Sequence, residues 1–466
     1  MNIISPPAFA RHRGGAAILT MFGGAVMGVV LASPAQALPS FARQTGQECA
    51  ACHNGFPELT PYGRLFKLNG YSFPGGGNLP ASNSNLPPIS AMVISSFTHT
   101  AAPQPGGAGP SLGPNDNFAL EVASLFYGGN IAPHLGAFAQ VTYDNVAKDL
   151  HWDNVDVRYA NTTSLLGAET VFGVAFNNNP TVTDVWNTAP AWSYPFQVSG
   201  LAPGPNAGTE IEGGLGQQVI GLNAYALWDR LIYTEFGLYR TLSKRAETTL
   251  GVSSTGDTLK GVAPYWRVAI EPKWEHNSWE VGTFGLATNI EPGRVTGSGT
   301  DHITDIGFDT QYQFLGERDS FSVQATWINE NHNLTSSSLL NGTNSLDHLR
   351  SMKVKGSYYY EQTYGATVQY FRTQGSGDLN LYGERGTPSA ISGSANSSPN
   401  SDGWMFELNY IPFNHGGPSF WPWLNVRFGL QYTLYNRFNG GTVNYDGNGR
   451  NAGDNNTLYL YSWFAF

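Results

Sequence analysis

The sequence predicts an all-β protein: a 16-stranded antiparallel outer-membrane β-barrel, preceded by a short, mainly helical or irregular segment that plugs the lumen. Three observations lead there. The first is composition: 466 residues hold 56 Gly, 26 Phe, 23 Tyr and 12 Trp, yet only 12% are charged, where soluble proteins carry about 25%. The second is alternation of polar and apolar residues with period two from residue 89 onward, the mark of half-buried strands. The third is one short run, Cys49-Ala50-Ala51-Cys52-His53, which contains the only two cysteines of the chain.

In chain order, residues 1–37 read as a secretory signal. Arg11 and Arg13 form the basic start, Ala16 to Ala32 is a long apolar run, and Ala35-Gln36-Ala37 is an A-x-A cleavage site. No later stretch approaches the eighteen apolar residues a membrane helix needs. Without Arg11 and Arg13 the mature chain has 22 basic and 34 acidic side chains, net −12, a balance that argues against a nucleic-acid partner.

Residues 38–88 form the second unit, a monohaem segment and linker. C-x-x-C-H is the pattern of covalent c-type haem attachment: two thiols bond the porphyrin vinyl groups and the adjacent imidazole binds the iron. Cys49 and Cys52 are therefore the covalent sites and His53 the proximal ligand. The competing reading of the run is a redox dithiol. Thr60 as N-cap, Pro61 at the first helical position and Gly70 as a stop predict a helix over about 60–69. Some fifty residues cannot cover a porphyrin alone, so further apolar cover has to come from the chain beyond residue 88. Arg43, Arg64 and Lys67 are candidates to pair the haem propionates, or are solvated charges. Pro74, Gly75 to Gly77 and Pro80 to Pro88 read as linker.

Residues 89–466 form the barrel. Strands are predicted at about 89–100, 117–128, 135–145, 151–161, 169–177, 216–228, 231–241, 263–275, 279–288, 302–314, 319–333, 348–361, 363–374, 402–412, 425–437 and 455–466. Their faces sort: Trp266, Val268, Ile270 and Trp274 oppose Arg267, Glu271 and Lys273, and Lys353 and Lys355 oppose Met352, Val354 and Tyr358. A face bearing Arg, Glu and Lys is no packed core; it suits a lumen, with lipid on the other side. A soluble β-sandwich or β-helix with one solvated face also alternates. Gaps between strands alternate short and long, as in outer-membrane barrels, except that the gap after the third strand is short. The chain ends on Phe466, which resembles the terminal aromatic of such barrels.

For the sixth haem ligand, Met92 on the first strand is preferred, being on the more polar, luminal face, with His99 on the opposite face as the alternative; an open or water-bound site is the plain reading. The long stretch Asn177 to Leu215, rich in Trp186, Trp192, Tyr194 and Phe196, is expected in the mouth or lumen, or as a rim loop touching neighbouring chains. Asp184, Glu210, Glu212, Asp257, Glu291 and Asp301 are read as external acids.

The order of signal, FARQTGQECAACH, FPELTPYGRLFKLNGY and sixteen strands resembles the fused monohaem cytochrome–porins of iron-oxidising bacteria. The likeness is specific over Phe41 to Tyr71, with NNNPTVTDVWNTAPAW from Asn177 as a weaker echo. It implies Cys49, Cys52 and His53 as haem-binding residues, and Sec-type export with cleavage near Ala37 to the outer membrane of a Gram-negative bacterium. The implied activity is one-electron oxidoreduction: Fe(II) oxidised outside, electrons passed inward to a periplasmic cytochrome c or copper protein. No iron-binding residue carries over. Two other functions fit parts of the chain: a diffusion or adhesion porin with a cytochrome segment, and a conduit for a donor other than iron. A soluble periplasmic cytochrome with a β-rich domain is the third.

Overall fold

Alternating side chains force each strand to present one apolar and one polar face, and a chain that must hide both kinds of edge solves this by closing on itself. The computed structural model describes residues 38–73, 87–109, 111–252, 256–383 and 391–466; the signal sequence and most of the linker lie outside them. The strands are β1 Ile89–Thr100, β2 Asn117–Ala132, β3 Leu135–Asp144, β4 Asp149–Leu165, β5 Ala168–Asn177, β6 Val219–Trp228, β7 Ile232–Thr241 and β8 Ala263–Ile270. The second half continues with β9 Asn277–Glu291, β10 Asp301–Leu315, β11 Asp319–Asn333, β12 Leu346–Tyr360, β13 Tyr364–Gly375, β14 Ser401–Tyr410, β15 Asn425–Arg437 and β16 Thr457–Ala465. Each pairs antiparallel with its neighbours in sequence, and β1 closes the ring on β16, Met92 opposite Ala465 through Thr100 opposite Thr457. Two further two-residue pieces, Thr258–Leu259 and Lys273–Trp274, join the sheet among the described residues.

All sixteen predicted strands are present. The eighth ends at Ile270, not 275, because Pro272 has no N–H to give a ladder and the chain turns there, Pro272 O accepting from Trp279 N at 3.0 Å. Turns at one end of the barrel are short: 133–134, 166–167, 229–231 and 361–363. Connections at the other end are longer, the stretch 178–218 most of all; that after β3 is the four-residue exception the sequence shows.

The outer face is apolar and open: Leu222, Phe236, Phe308 and Leu408 are each more than half exposed. The inner face is polar and buried: Arg158, Arg267 and Arg427 are fully hidden from solvent, and Lys355 nearly so. A closed sheet with lipid-compatible exterior and polar interior is a membrane-spanning barrel of the outer-membrane type.

Two pieces of chain fill that interior. The first is residues 38–73. It forms α1 Pro39–Thr45, α2 Cys49–Cys52 and α3 Pro61–Leu68. Thr60 caps α3 by accepting from Gly63 N at 3.2 Å, and Pro61 opens it, as the sequence predicts. The segment is bonded to the wall. Glu58 receives Lys355 Nζ at 2.5 Å and Gln313 Nε2 at 3.2 Å; Tyr71 OH donates to Asp156 at 2.5 Å; Arg427 donates to the Phe56 carbonyl. Gly55, at φ +62°, lies where a Cβ would stand 2.0 Å from the Tyr359 ring, so the segment and the wall meet without room for a side chain.

The second is the stretch 178–218, which folds inward as expected. Trp186 O accepts from Gln311 and Gln324 at 2.7 and 2.8 Å, and Gln197 O from Gln431 at 3.0 Å, so the stretch bridges opposite walls. This corrects the reading of Asp184 and Glu212 as external acids. Both are buried: Asp184 lies 3.4 Å from Arg267 and Glu212 2.8 Å from Lys353. Asp301 is likewise buried and caps the turn at Ser336 and Ser337.

Burial alone would raise the Glu58 carboxyl, but Lys355 beside it overrides this and holds it below the ordinary carboxylate range. A depressed carboxyl contributes its stability above its unfolded pKa and loses it as pH falls through the folded one. Lowering the pH below 4 is therefore expected to loosen segment 38–73 while the barrel persists, seen as protease cleavage within 38–73 of a protein still resistant to SDS. Glu58→Gln leaves Lys355 buried and unpaired, a loss of about 3–5 kcal/mol, and is expected to give the same cleavage at neutral pH.

Candidate haem site

The C-x-x-C-H run sits at the short-turn end of the lumen. α2 is one turn long, and its exposed peptide groups are satisfied by the rim: Ala50 N donates to Asn414 O at 3.0 Å, and Gln362 Nε2 to the carbonyls of Ala50 and His53 at 3.2 and 3.1 Å. α3 packs directly on it. Thr60 N donates to Cys52 O at 2.9 Å, and a Cβ at Gly63 would stand 2.3 Å from that same oxygen. Only glycine lets the two helices approach this closely.

Between the helices and the wall lies a cavity whose empty space, open mouth included, is about 840 Å³. Cys49, Cys52 and His53 line it together. Opposite them are the rings of Phe41, Phe66, Tyr71, Phe138 and Trp192. Phe41 stacks on Tyr71 at 5.6 Å and meets Phe66 edge-on at 5.3 Å, contacts worth about 0.5–1.5 kcal/mol each beyond their burial. Phe138 and Trp192 come from β3 and the inserted stretch, so the apolar cover a fifty-residue segment lacks is supplied by the barrel. Gln47 and Glu48 are exposed at the mouth.

The donors have the form a porphyrin requires. His53 Nδ1 lies 3.1 Å from Pro57 O; a carbonyl only accepts, so Nδ1 carries the hydrogen and Nε2 keeps its lone pair. Such a bond fixes the ring of a metal-ligating histidine. Burial holds the imidazole down to about 4, hence neutral. Burial also pushes the Cys49 thiol up to about 11 and Cys52 to about 12. A redox dithiol works through a stabilised thiolate, and this enclosure does not favour one. The residues fit a covalently attached haem, with Cys49 and Cys52 as its anchors and His53 as its ligand.

The other candidates are dispersed. Lys67 lines the cavity; its Nζ donates to Val182 O and Asp184 O, both at 2.7 Å, over the Trp192 ring at 4.8 Å. Arg64 points to the wall instead, paired with Glu271 and donating to Gln311 at 3.0 Å. Arg43 lies over Trp423 at 4.6 Å and donates to Ile89 O. Met92 is luminal and buried as predicted, but it does not line the cavity. His99 is on the outer face, 2.6 Å from Asp116. Sequence reasoning passed over Asn187, whose Oδ1 accepts from Leu59 N at 2.9 Å, and Glu58; their partners lie more than a hundred residues away in the chain, which no local pattern signals.

No protein-family model and no curated protein matches this chain. Solved structures with a similar course include an outer membrane protein, OmpT, of Vibrio cholerae, at 11% identity, TM-score 0.38, over 81% of this chain and 96% of that one. The outer membrane channel DcaP of Acinetobacter baumannii gives 12%, 0.41, 81% and 96%. The anion-selective porin from Comamonas acidovorans gives 11%, 0.43, 81% and 98%. At this level of similarity the barrel rests on its own strand pairing.

Thiols held protonated by burial in this way are expected to react with a maleimide at pH 7 about 100-fold more slowly than an exposed cysteine, measured on haem-free protein. Gly63→Val, which cannot keep α3 against α2, is expected to restore most of that rate.

Proposed function

We propose that this chain is an outer-membrane electron-transfer cytochrome that takes single electrons from extracellular Fe(II) and passes them through one c-type haem to a periplasmic carrier, a cytochrome c or a copper protein. The observation that carries the reading is the cavity in the lumen where Cys49, Cys52 and His53 converge under aromatic cover. When bound, the haem supplies one-electron exchange without a proton-transfer side chain. The chain's own residues do the rest. Cys49 and Cys52 hold the group, Pro57 O orients His53, and Phe41, Phe66 and Trp192 exclude water.

The position of the cavity supports the direction of transfer. It lies beside turn 361–363 and the connection 411–424, and in outer-membrane barrels the short turns face the periplasm. A soluble carrier would meet the mouth at Gln47 and Glu48. Oxidising iron outside keeps poorly soluble ferric product out of the periplasm. The iron assignment rests on the family resemblance of residues 41–71.

A diffusion porin is the second reading, favoured by the barrel itself, whose sixteen strands and inserted connection are the architecture of a channel. The two separate by measurement. Anaerobic mixing of detergent-purified, haem-loaded protein with Fe²⁺ is expected to reduce the haem, and His53→Ala to abolish this. In planar bilayers the intact protein is expected to show little steady conductance, and a chain lacking 38–73 a larger one. A large persistent conductance of the intact protein, with no reduction by iron, would establish the porin. Reduction by chemical reductants but not by iron would point to another donor.

A further inference from the structure

His53 accounts for one axial position of a bound haem iron, and c-type proteins commonly complete the pair with Met or a second His. Among the described residues, no Met and no His other than His53 lines the cavity. Met92 and Met405 are buried in the apolar cluster that continues into the cavity's aromatic rings, but neither lines the cavity. His99 is on the outer face with Asp116. His415 comes to the mouth, its Nδ1 3.5 Å from Glu48, but its Nε2 is taken by Glu361 O at 2.9 Å. Residues 74–86, 110, 253–255 and 384–390 contain neither residue type, so they offer no substitute.

The buried polar groups that line the cavity are already engaged. Lys67 Nζ donates to the Val182 and Asp184 carbonyls, both at 2.7 Å, and would have to break those bonds to turn to a metal. Asn187 accepts from Leu59 N and donates to Trp192 O at 3.1 Å. Tyr71 donates to Asp156. The Lys67 and Leu59 bonds tie the haem segment to the inserted stretch 178–218 and the Tyr71 bond ties it to β4, and breaking one to reach the iron would unpair a buried partner.

We propose that the haem held by this chain has no side chain at its sixth coordination position, and that this position binds small molecules of the carbon monoxide, cyanide and water class within the cavity bounded by Lys67, Asn187 and Trp192. The inference rests on the cytochrome reading above. It makes the site a ligand-binding haem as well as an electron carrier, with access through the mouth at Gln47 and Glu48.

The test uses the full-chain, haem-loaded protein in detergent. Covalent haem is first confirmed by its alkaline pyridine spectrum. Ferric protein is then studied by low-temperature EPR, and ferrous protein is titrated with carbon monoxide. A high-spin ferric signal and one carbon monoxide bound per haem are expected, both unchanged in Met92→Leu and His99→Gln. A low-spin ferric signal with no carbon monoxide binding overturns the inference, whether or not Met92→Leu, His99→Gln or Lys67→Met converts it to high spin. The substitutions then name the ligand. A purified chain with no covalent haem overturns the cytochrome reading and this inference together, whereas low-spin haem overturns this inference alone.

Discussion

The interior of this barrel is governed by a single constraint: a charge taken out of water has to meet an opposite charge or a full set of hydrogen bonds. Arg158, Arg267, Arg427 and Lys355 project inward and are cut off from solvent. Arg158 meets Asp156 on its own strand at 2.7 Å, and Arg267 meets Asp309 across the wall at 2.6 Å. Further partners come from the two inserted pieces: Asp184 and the Thr183 carbonyl from one, Glu58 and the Phe56 carbonyl from the other. Wall and filling are thus electrostatically incomplete without each other. The cavity exists because its two sides are held to the barrel by these pairs and not by contact with one another alone.

That division explains what the sequence made legible. Period two is a local property, so the strands, their faces and the polarity of Arg267, Lys353 and Lys355 could be read directly. Thr60, Pro61 and Gly70 mark α3 for the same reason. C-x-x-C-H is local as well, and places three donors in five residues. What escaped were partners separated by long stretches of chain: Glu58 with Lys355, Tyr71 with Asp156, Asn187 with Leu59. Asp184 looked like a solvated loop acid because nothing near it in sequence announces Arg267. Met92 was placed on the luminal face, where it is, but a face does not specify a height, and the cavity opens elsewhere along it.

The thiols and imidazole gain their character from the same enclosure. Burial makes Cys49 and Cys52 poor nucleophiles and His53 a neutral base. An environment that quiets free thiols is suited to hold them once they are spent in thioether bonds, and the aromatic rings from α1, α3, β3 and the inserted stretch give a flat group surfaces to lie between. Within the barrel, a segment too short to build a core of its own borrows one.

Closure of β1 on β16 also sets an order of events in the cell. The segment 38–73 precedes β1 in the chain, yet ends enclosed by all sixteen strands, with the peptide groups of Ala50 and His53 bonded to Asn414 and Gln362 near the far end of the sequence. An enzyme that must grip the chain around Cys49 and Cys52 finds those groups free only while the polypeptide is still in transit across the periplasm. Any group joined to the two sulfurs is therefore joined before the barrel seals. Should the two sulfurs carry the haem proposed above, delayed insertion would favour its attachment, and premature insertion would leave a sealed barrel without it.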